Sequence, residues 1–235
     1  MTTNQIGKIQ TALGKTLKHG TFNFDWFVGT REGVSLGGSG NGYMDLAIPA
    51  VATSMVLDVL SEEGGDIVTM PGFFSHQSVF QRVSEEPVQW VEIEVHGIGV
   101  TPVAPLYWLY GVTSATERTA GPATRSIEID VDFAKVVHDS PPSLGTTLKE
   151  GLEENHPGLS RQRATGKVTI SPDGFVNTVE VEIPGLDAPD PELSLPPRLV
   201  TLDLRPTTRR PIKLPETDVH LSVQEFIDTL LGDTP

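Results

Sequence analysis

The segment Thr21-Phe22-Asn23-Phe24-Asp25-Trp26-Phe27-Val28 sets the fold class, because large apolar side chains alternate with polar ones along most of it. Successive side chains of a β-strand point to opposite faces of the sheet, so Phe22, Phe24, Trp26 and Val28 are expected on one face. Similar patterns recur in the ranges 43–50, 54–60, 66–70, 88–95, 106–110, 126–133, 167–170, 175–183 and 199–204. The sequence therefore predicts about ten strands.

Turn-forming residues separate several of these strands by short distances. Glu63-Gly64-Gly65-Asp66 and Ser171-Pro172-Asp173-Gly174 are typical of hairpin turns, and the second fits a turn closed by a glycine at positive φ. The glycine-rich run 37–42 also favours a hairpin or a bulge, because it lacks the Lys-Ser/Thr ending of a phosphate-binding loop. Sequential antiparallel pairing is expected to dominate the sheet.

Helical spacing of apolar residues is found in three places. Ile6, Ile9, Leu13 and Leu17 predict an amino-terminal helix, which Gly7 and Gly14 weaken. The leucines of the range 143–154 predict a helix in the middle of the chain, and a capping box at 222–225 begins one near the end. We therefore expect a mainly β (α+β) fold with a helix at each end and one in the middle.

The proline-rich run 184–197 joins two strong strand patterns, neither of which has a balanced core on its own. We interpret this run as a long loop within a single domain of residues 1–235.

The composition of the 235 residues excludes several classes of protein. There is no cysteine, which excludes disulfides, thiolate metal sites and cysteine nucleophiles. The net charge of −14 argues against binding to nucleic acid or to an anionic membrane surface. The few basic residues that cluster are Arg205, Arg209, Arg210 and Lys213.

Membrane and export signals are not found in the sequence. No apolar stretch reaches the roughly 18–20 residues of a membrane span. The first residues, Met1-Thr2-Thr3-Asn4-Gln5, have neither the basic region nor the apolar region of a signal peptide. We expect no membrane span and a cytoplasmic location; the sequence indicates no oligomeric state.

The motifs of the common catalytic and metal sites are missing as well. The six histidines include no pair at i, i+2 or i, i+4, so no metal site is predicted. Ser39 lacks the spacing of a nucleophile elbow, and no nucleotide motif is found, so no cofactor is predicted. Glu128, Asp130 and Asp132 alternate with apolar residues, which is typical of the solvated outer face of a sheet.

Aromatic residues give the strongest indication of a site. They either fill an ordinary core or line a cavity for a large apolar ligand with a few polar groups. The residues predicted to contact such a ligand are Phe22, Phe24, Trp26, Met70, Trp90 and Trp108. The residues predicted to act on it are Tyr43, Tyr107 and Tyr110 as hydrogen-bond donors, and His76 as a general base.

The order of these elements resembles the LppX/LprG-type lipid-carrier lipoproteins of actinobacteria and their LolA-like relatives. The segments that carry the resemblance are Ser39-Gly40-Asn41-Gly42-Tyr43-Met44-Asp45-Leu46 and the ranges 65–72, 166–174 and 212–219. The resemblance implies a curved antiparallel half-barrel or barrel with helices and an apolar cavity for acylated lipid. Because the sequence shows neither a leader nor a lipidation cysteine, we expect a cytoplasmic relative that holds another apolar molecule.

Three functions are compatible with these observations. The first hypothesis is a cofactor-independent cyclase that folds a polyketide or polyether precursor in a dry cavity, where orientation alone can lower a barrier by roughly 7–11 kcal/mol. The alternative is a non-catalytic carrier of lipid or acyl chains, as the resemblance implies. The third is an interaction module whose aromatic residues only fill a core.

Overall fold

The computed structural model describes residues 2–30, 33–46, 50–61, 64–74, 78–85, 88–94, 102–119, 125–155, 158–185, 196–222 and 225–226. These residues form four α-helices and a single sheet of twelve strands. The helices are α1 (Thr2–His19), α2 (Ala104–Trp108), α3 (Phe133–Asp139) and α4 (Pro142–Asn155). The strands are β1 (Thr21–Thr30), β2 (Gly33–Asp45), β3 (Ala50–Ser61), β4 (Gly64–Phe74), β5 (Ser78–Glu85), β6 (Val88–Glu94), β7 (Val112–Thr119), β8 (Arg125–Asp132), β9 (Arg163–Ile170), β10 (Val176–Ile183), β11 (Arg198–Pro206) and β12 (His220–Leu221).

The sheet consists of two meanders that meet at β1 and β11. Its order is β12-β6-β5-β4-β3-β2-β1-β11-β10-β9-β8-β7. Neighbouring strands are antiparallel, except that β12 is parallel to β6. The expectation of a curved, mainly antiparallel sheet with sequential pairing is confirmed. The number of strands is twelve in the described residues, against about ten expected.

One face of the sheet, which we call the inner face, carries the helices and the apolar core. Phe22 and Phe24 of β1 lie there and are fully buried together with Leu202 and Leu204 of β11. Helix α1 packs against β7, β9 and β10, and α2 packs against β10 and β11. The hydroxyl of Thr16 in α1 also accepts a hydrogen bond from the backbone N–H of Val176, at 2.9 Å.

The opposite face, the outer face, is polar over much of its area. On β8, Ile127, Ile129 and Val131 are buried on the inner face, whereas Glu128 and Asp130 are exposed between them. Glu128 and Asp130 therefore form a solvated face, as the alternation predicts, whereas the expectation is wrong for Asp132, whose side chain is only 19% exposed.

The prediction of a strand at 106–110 is wrong. These residues form α2 and a 3₁₀ turn, Leu109–Gly111. Residues 104–109 are all buried, so the helix has no polar side and no helical period in its sequence. A short, fully apolar run cannot be assigned to helix or strand from periodicity alone, but Pro105 in the first turn favours a helix start.

Of the hairpin or bulge expected at the glycine-rich run 37–42, the hairpin is not formed, because β2 spans Gly33–Asp45 and its residues 38–45 are paired on both sides, with β1 and β3. A register irregularity does lie at the start of the run, between the pairs Val28–Gly38 and Thr30–Gly33. Glycine has little strand preference of its own, but two flanking ladders fix its backbone. Tertiary pairing therefore overrides local propensity here.

The described residues have three helices in the middle of the chain rather than one: α2 lies between β6 and β7, and α3 and α4 lie between β8 and β9. Helix α4 is the predicted middle helix, whereas α3 was not expected. Asp132 caps α3, because its Oδ1 accepts hydrogen bonds from the backbone N–H groups of Ala134 and Lys135, at 3.0 and 3.3 Å. The predicted strand 126–133 consequently ends one residue early, and β5 and β7 are further strands that the alternation did not predict.

The capping box near the end of the chain is formed. Ser222 donates its backbone N–H and its hydroxyl to Glu225, and the backbone N–H of Glu225 donates to the hydroxyl of Ser222 at 3.2 Å. Residues 227–235, which the predicted terminal helix would include, lie outside the described residues.

Residues 207–219, which we call the strap, leave β11 and cross the outer face. Arg209 holds the first end, because it donates two hydrogen bonds, at 2.7 and 3.0 Å, to Asp45, whose side chain is 2% exposed. The next backbone N–H, that of Arg210, donates to the hydroxyl of Tyr43 at 2.8 Å. The strap is therefore fixed at the end of β2.

The second end of the strap is fixed at β6. The hydroxyl of Thr217 donates to the carbonyl of Trp90 at 2.6 Å. Strands β2 and β6 are four spacings apart, about 19 Å, and the seven Cα–Cα steps from residue 210 to residue 217 can reach about 25 Å at most. The strap must therefore be largely extended over β3, β4 and β5, which Pro211 and Pro215 favour.

Two glycines should respond in opposite ways to replacement by alanine. A Cβ at Gly7 of α1 would meet nothing within 4 Å, so Gly7→Ala should stabilise the protein by about 0.5–1 kcal/mol. A Cβ at Gly166 of β9 would lie 2.3 Å from the carbonyl oxygen of Glu180, so Gly166→Ala should destabilise it by about 1–3 kcal/mol. Urea unfolding followed by circular dichroism measures both; a neutral Gly166→Ala would contradict the close approach of β9 and β10.

The loop after α4 should contribute stability that depends on pH. The pKa of Glu153 is lowered because the hydroxyl of Ser160 and the backbone N–H of Gly158 donate to its carboxylate. A lowered pKa in the folded state gives stability that is complete above the unfolded pKa of about 4.3 and is lost as the pH falls through the folded value. Glu153→Gln should therefore be less stable than the wild type at about pH 7 in urea unfolding, and this difference should disappear as the pH falls through the lowered pKa of Glu153. A difference that persists at low pH would exclude this origin.

Candidate functional site

The ladder register divides the sequence-predicted site residues between the two faces. Phe22 pairs with Met44, and Asn23 pairs with Tyr43. Directly opposed residues of antiparallel strands share a face. Since Phe22 belongs to the core, Tyr43 lies on the outer face, although it is only 7% exposed because the strap covers it.

Trp90 also lies on the outer face. Its ring centre is 5.4 Å from that of Phe73, and Phe73 is placed on that face because Ala52 of β3 pairs both with it and with Tyr43. Trp90 is half-buried beside the second end of the strap. The structure therefore does not bring Tyr43 and Trp90 together with Phe22, Phe24 and Trp26.

The inner face becomes more open along β1. Phe22 and Phe24 are fully buried, whereas Trp26 and Val28, which follow them on the same face, are only partly buried and pack against the edge of the core. A partly exposed tryptophan and valine on an otherwise buried face leave apolar surface accessible to a ligand.

Beside these residues, β2 carries no side chain on the inner face. Phe24 pairs with Gly42, Trp26 with Gly40 and Val28 with Gly38, so three successive inward positions of β2 are glycine. From residue 38 to residue 42, this row extends about 13 Å along the strand. We call this row, between β1 and β3, the glycine row.

Met70 is at the same level of the sheet. It pairs with Met55 of β3, which pairs with Gly40 in the glycine row. The side chain of Met70 lies outside the described part of the structure, and so does the whole of His76.

Trp108 lies in α2, which packs on β11, the neighbour of β1, and on β10. Its side chain is 3% exposed, and its ring makes an edge-to-face contact with Phe133 at 5.4 Å. The indole N–H has no hydrogen-bond partner within the described ranges. A buried donor without an acceptor costs about 1–3 kcal/mol, so this N–H is a group that a ligand oxygen could satisfy.

Tyr107 and Tyr110 are close to each other at the end of α2. Burial, followed by the charge of Tyr110, raises the pKa of Tyr107 to about 12, and burial raises the pKa of Tyr110 as well. Both phenols are therefore protonated at neutral pH and can donate hydrogen bonds, but neither is suited to act as a base.

On the outer face, a groove of about 570 Å³ lies beside the first end of the strap. Asn23, Asp25, Tyr43, Phe73, Arg205 and Arg210 contribute to its walls. Arg210 stacks over the ring of Tyr43, with 4.5 Å between the guanidinium carbon and the ring centre. The groove thus combines charged and amide side chains with the rings of Tyr43 and Phe73, unlike the inner face.

Among the described residues, no three side chains of His, Asp or Glu are grouped so as to hold a metal ion. Among the same residues, no helix has the length and apolar character needed to cross a membrane.

The glycine row was not among the residues predicted from the sequence, although its signal is present there. Gly38, Gly40 and Gly42 alternate with Ser39 and Asn41, which is the same period of two that identifies β1. The groove residues Asn23 and Arg210 had no such signal, because the strap brings them together across 187 positions of the sequence.

Comparisons with known proteins identify the fold. No protein-family model matches the chain, and no curated protein matches its sequence. Among solved structures, the chain is similar to the crystal structure of LprF from Mycobacterium bovis, with a TM-score of 0.51 and 12% sequence identity over 91% of this chain and 96% of that one. The chain therefore has the fold of LprF, as its resemblance to LppX/LprG-type proteins implied.

Proposed function

We propose that this protein binds an apolar, acyl-chain-like molecule on the inner face of the sheet and carries it without changing it chemically. The observation that carries the proposal is the glycine row, where β2 offers backbone alone beside the partly exposed Trp26 and Val28. Glycine in a strand interior often marks a site of close approach by a ligand. A chain lying along the row would contact apolar side chains of β1 at its side.

A polar group of the ligand would be held at α2. The indole N–H of Trp108 is buried and lacks an acceptor among the described residues, and α2 packs on β11, the neighbour of β1. A carbonyl or carboxylate oxygen that accepts this hydrogen bond would remove the cost of the unsatisfied donor. Tyr107 supplies a second, protonated donor on the same helix.

The carrier function is favoured over the cyclase hypothesis by the placement of the tyrosines. Tyr43 lies on the outer face, so it cannot act on the same ligand as Tyr107 and Tyr110. The fold shared with LprF supports the carrier function through the LppX/LprG resemblance, whose implied ligand is an acylated lipid. Neither a polyketide nor a polyether substrate is supported by a specific contact.

Filling the glycine row should block binding. Gly40→Val places two methyl groups on the inner face and should weaken the binding of palmitate at least about tenfold, because the backbone surface is no longer accessible. Ser39→Val is the matched control, since the same side chain one residue earlier points to the outer face and should leave the affinity unchanged. Displacement of a fluorescent fatty acid measures the affinity, and mass spectrometry of the recovered ligand should find it unaltered.

Three outcomes would contradict the proposal: wild-type protein that binds no palmitate, equal losses in the two variants, or palmitate recovered in a chemically changed form. Melting temperatures of both variants show whether Gly40→Val is folded. If it is not, the next variant provides an independent test of the same site.

Removing only the indole N–H of Trp108 should weaken the binding of ligands that have a polar end. Trp108→Phe keeps an aromatic ring against Phe133 and should lower the affinity for palmitate about tenfold, as expected for a hydrogen bond to a charged group. The affinity for hexadecane, which has no acceptor, should change much less. Equal losses for palmitate and hexadecane would show that Trp108 contributes packing only.

A further inference from the structure

The groove on the outer face is separate from the proposed carrier site, because the sheet lies between them. Its walls come from β1, β2, β4, β11 and the strap. Phe24 and Gly42 border the groove as well, but Trp26 and Gly40 do not, and their inward positions lie on the other face of β1 and β2. A molecule in the groove would therefore be a second ligand and not the polar end of an acyl chain on the inner face.

The groove offers both donors and acceptors that the fold does not use up. Arg210 donates one N–H to the side-chain oxygen of Asn23 at 2.5 Å, and Arg205 pairs with one carboxylate oxygen of Asp25 at 2.5 Å. Each guanidinium has five N–H groups, so four on each have no partner among the described residues. Within the same residues, the NH2 group of Asn23, the hydroxyl proton of Tyr43 and the second oxygen of Asp25 are available as well.

The charges in the groove nearly cancel. Two guanidinium groups face one carboxylate, and Asp203, directly opposite Asp25 across β1 and β11, adds a second carboxylate close by. An oxyanion would gain from Arg205 and Arg210, but it would be repelled by these carboxylates and by a chain of net charge −14. A neutral ligand avoids that repulsion and can use the donors and the acceptors together.

One wall of the groove is apolar. Phe73 is half-buried there, and its ring contacts that of Trp90 with 5.4 Å between the ring centres. A flat apolar wall opposite amide, carboxylate and guanidinium groups suits a molecule with C–H groups on one side and hydroxyl groups at its rim. A volume of about 570 Å³ is large enough for one or two sugar rings.

We propose that the groove between Asn23, Asp25, Phe73, Arg205 and Arg210 binds a neutral, hydroxyl-rich molecule of the size of a mono- or disaccharide. Vicinal hydroxyl groups would accept from Arg210 and Asn23 and donate to the carboxylate of Asp25, while a ring face would lie against Phe73. The surface ion pair between Arg205 and Asp25 does not prevent this, because exposed pairs contribute only about 0–1 kcal/mol and can rearrange.

The strap gives the site its final wall. Arg210 reaches Asn23 and Tyr43 only because the two hydrogen bonds between Arg209 and the buried Asp45 fix the preceding residue. The hydroxyl of Tyr43 accepts the backbone N–H of Arg210, and the ring of Tyr43 stacks under its guanidinium, so the guanidinium is positioned before a ligand arrives. Such positioning reduces the entropy lost on binding.

Ligand-observed nuclear magnetic resonance with methyl glucoside, methyl galactoside, methyl mannoside and maltose tests the proposal. At least one of the four should bind with a Kd on the order of 1 mM, as expected for an open, hydrated groove. Asp25→Asn should weaken this binding about tenfold, because a charge-assisted hydrogen bond becomes a neutral one, and Arg210→Gln should weaken it similarly. Lys213→Gln is the matched control: it removes one charge from the same strap outside the groove and should have no effect.

The affinity for inorganic phosphate, measured in the wild type and in Asp25→Asn, distinguishes a sugar site from an oxyanion site. If the groove were an oxyanion site, phosphate would bind and Asp25→Asn would tighten its binding, because the variant removes a repulsive carboxylate. That result would overturn the proposal, as would four saccharides that do not bind, or binding that neither Asp25→Asn nor Arg210→Gln weakens.

Two further measurements keep the result interpretable. The melting temperature of each variant shows whether it is folded. The side chain of Asp25 is 46% exposed, so Asp25→Asn should fold even if Arg210→Gln loosens the strap. Saccharide binding should persist in Gly40→Val, in which the inner face is blocked. Its loss there would count against a second, separate site, whereas failure of palmitate binding alone would leave the groove unaffected.

Discussion

The ladder between β1 and β11 is the contact on which the sheet depends. It joins the meander β1–β6 to the meander β7–β11 and aligns eight residue pairs, from Phe22 with Pro206 to Gly29 with Leu199. These partners are about 170–185 positions apart, so the pairing has a high loop-closure cost that only many simultaneous contacts can offset. The fully buried pair Phe24 with Leu204 and the partly exposed Trp26 with its buried partner Leu202 supply apolar contacts along this seam.

The parts of the fold that could be predicted from sequence are those with a local pattern, whereas pairing between distant segments, as in this seam, could not. Strands with one polar and one apolar face, such as β1, β8 and β10, show a period of two, and the hairpin at 171–174 has its own turn residues, including Gly174 at φ 79°. Helix α2 was predicted as a strand because it is buried on every side and so has no period. The pairing of β1 with β11 has no local signal at all.

The residues of the candidate site likewise divide into those that a local pattern places and those that only long-range pairing places. The inward positions of Phe22, Phe24 and Trp26 could be predicted, because alternation alone assigns them to one face. Whether two strands share a register cannot be read from either strand, so Tyr43 and Trp90 were grouped with residues that lie across the sheet. The outer groove depends on the strap, whose course is set by Arg209 and the buried Asp45, far apart in sequence.

Strands β1 and β2 contribute alternate residues to the two proposed sites. The pairing register of these strands therefore determines which residues belong to each site. Trp26 and Gly40 face inward, whereas Asp25 and Asn41 face outward at the next position. A slip of one residue would exchange the faces, placing a carboxylate against the core and a tryptophan in the groove. The cost of burying an unpaired carboxylate and losing buried aromatic surface is several kcal/mol, so the core that fixes the inner site also fixes the outer one. Binding to one face therefore need not deform the other, and the sheet can hold two chemically different ligands on its two sides.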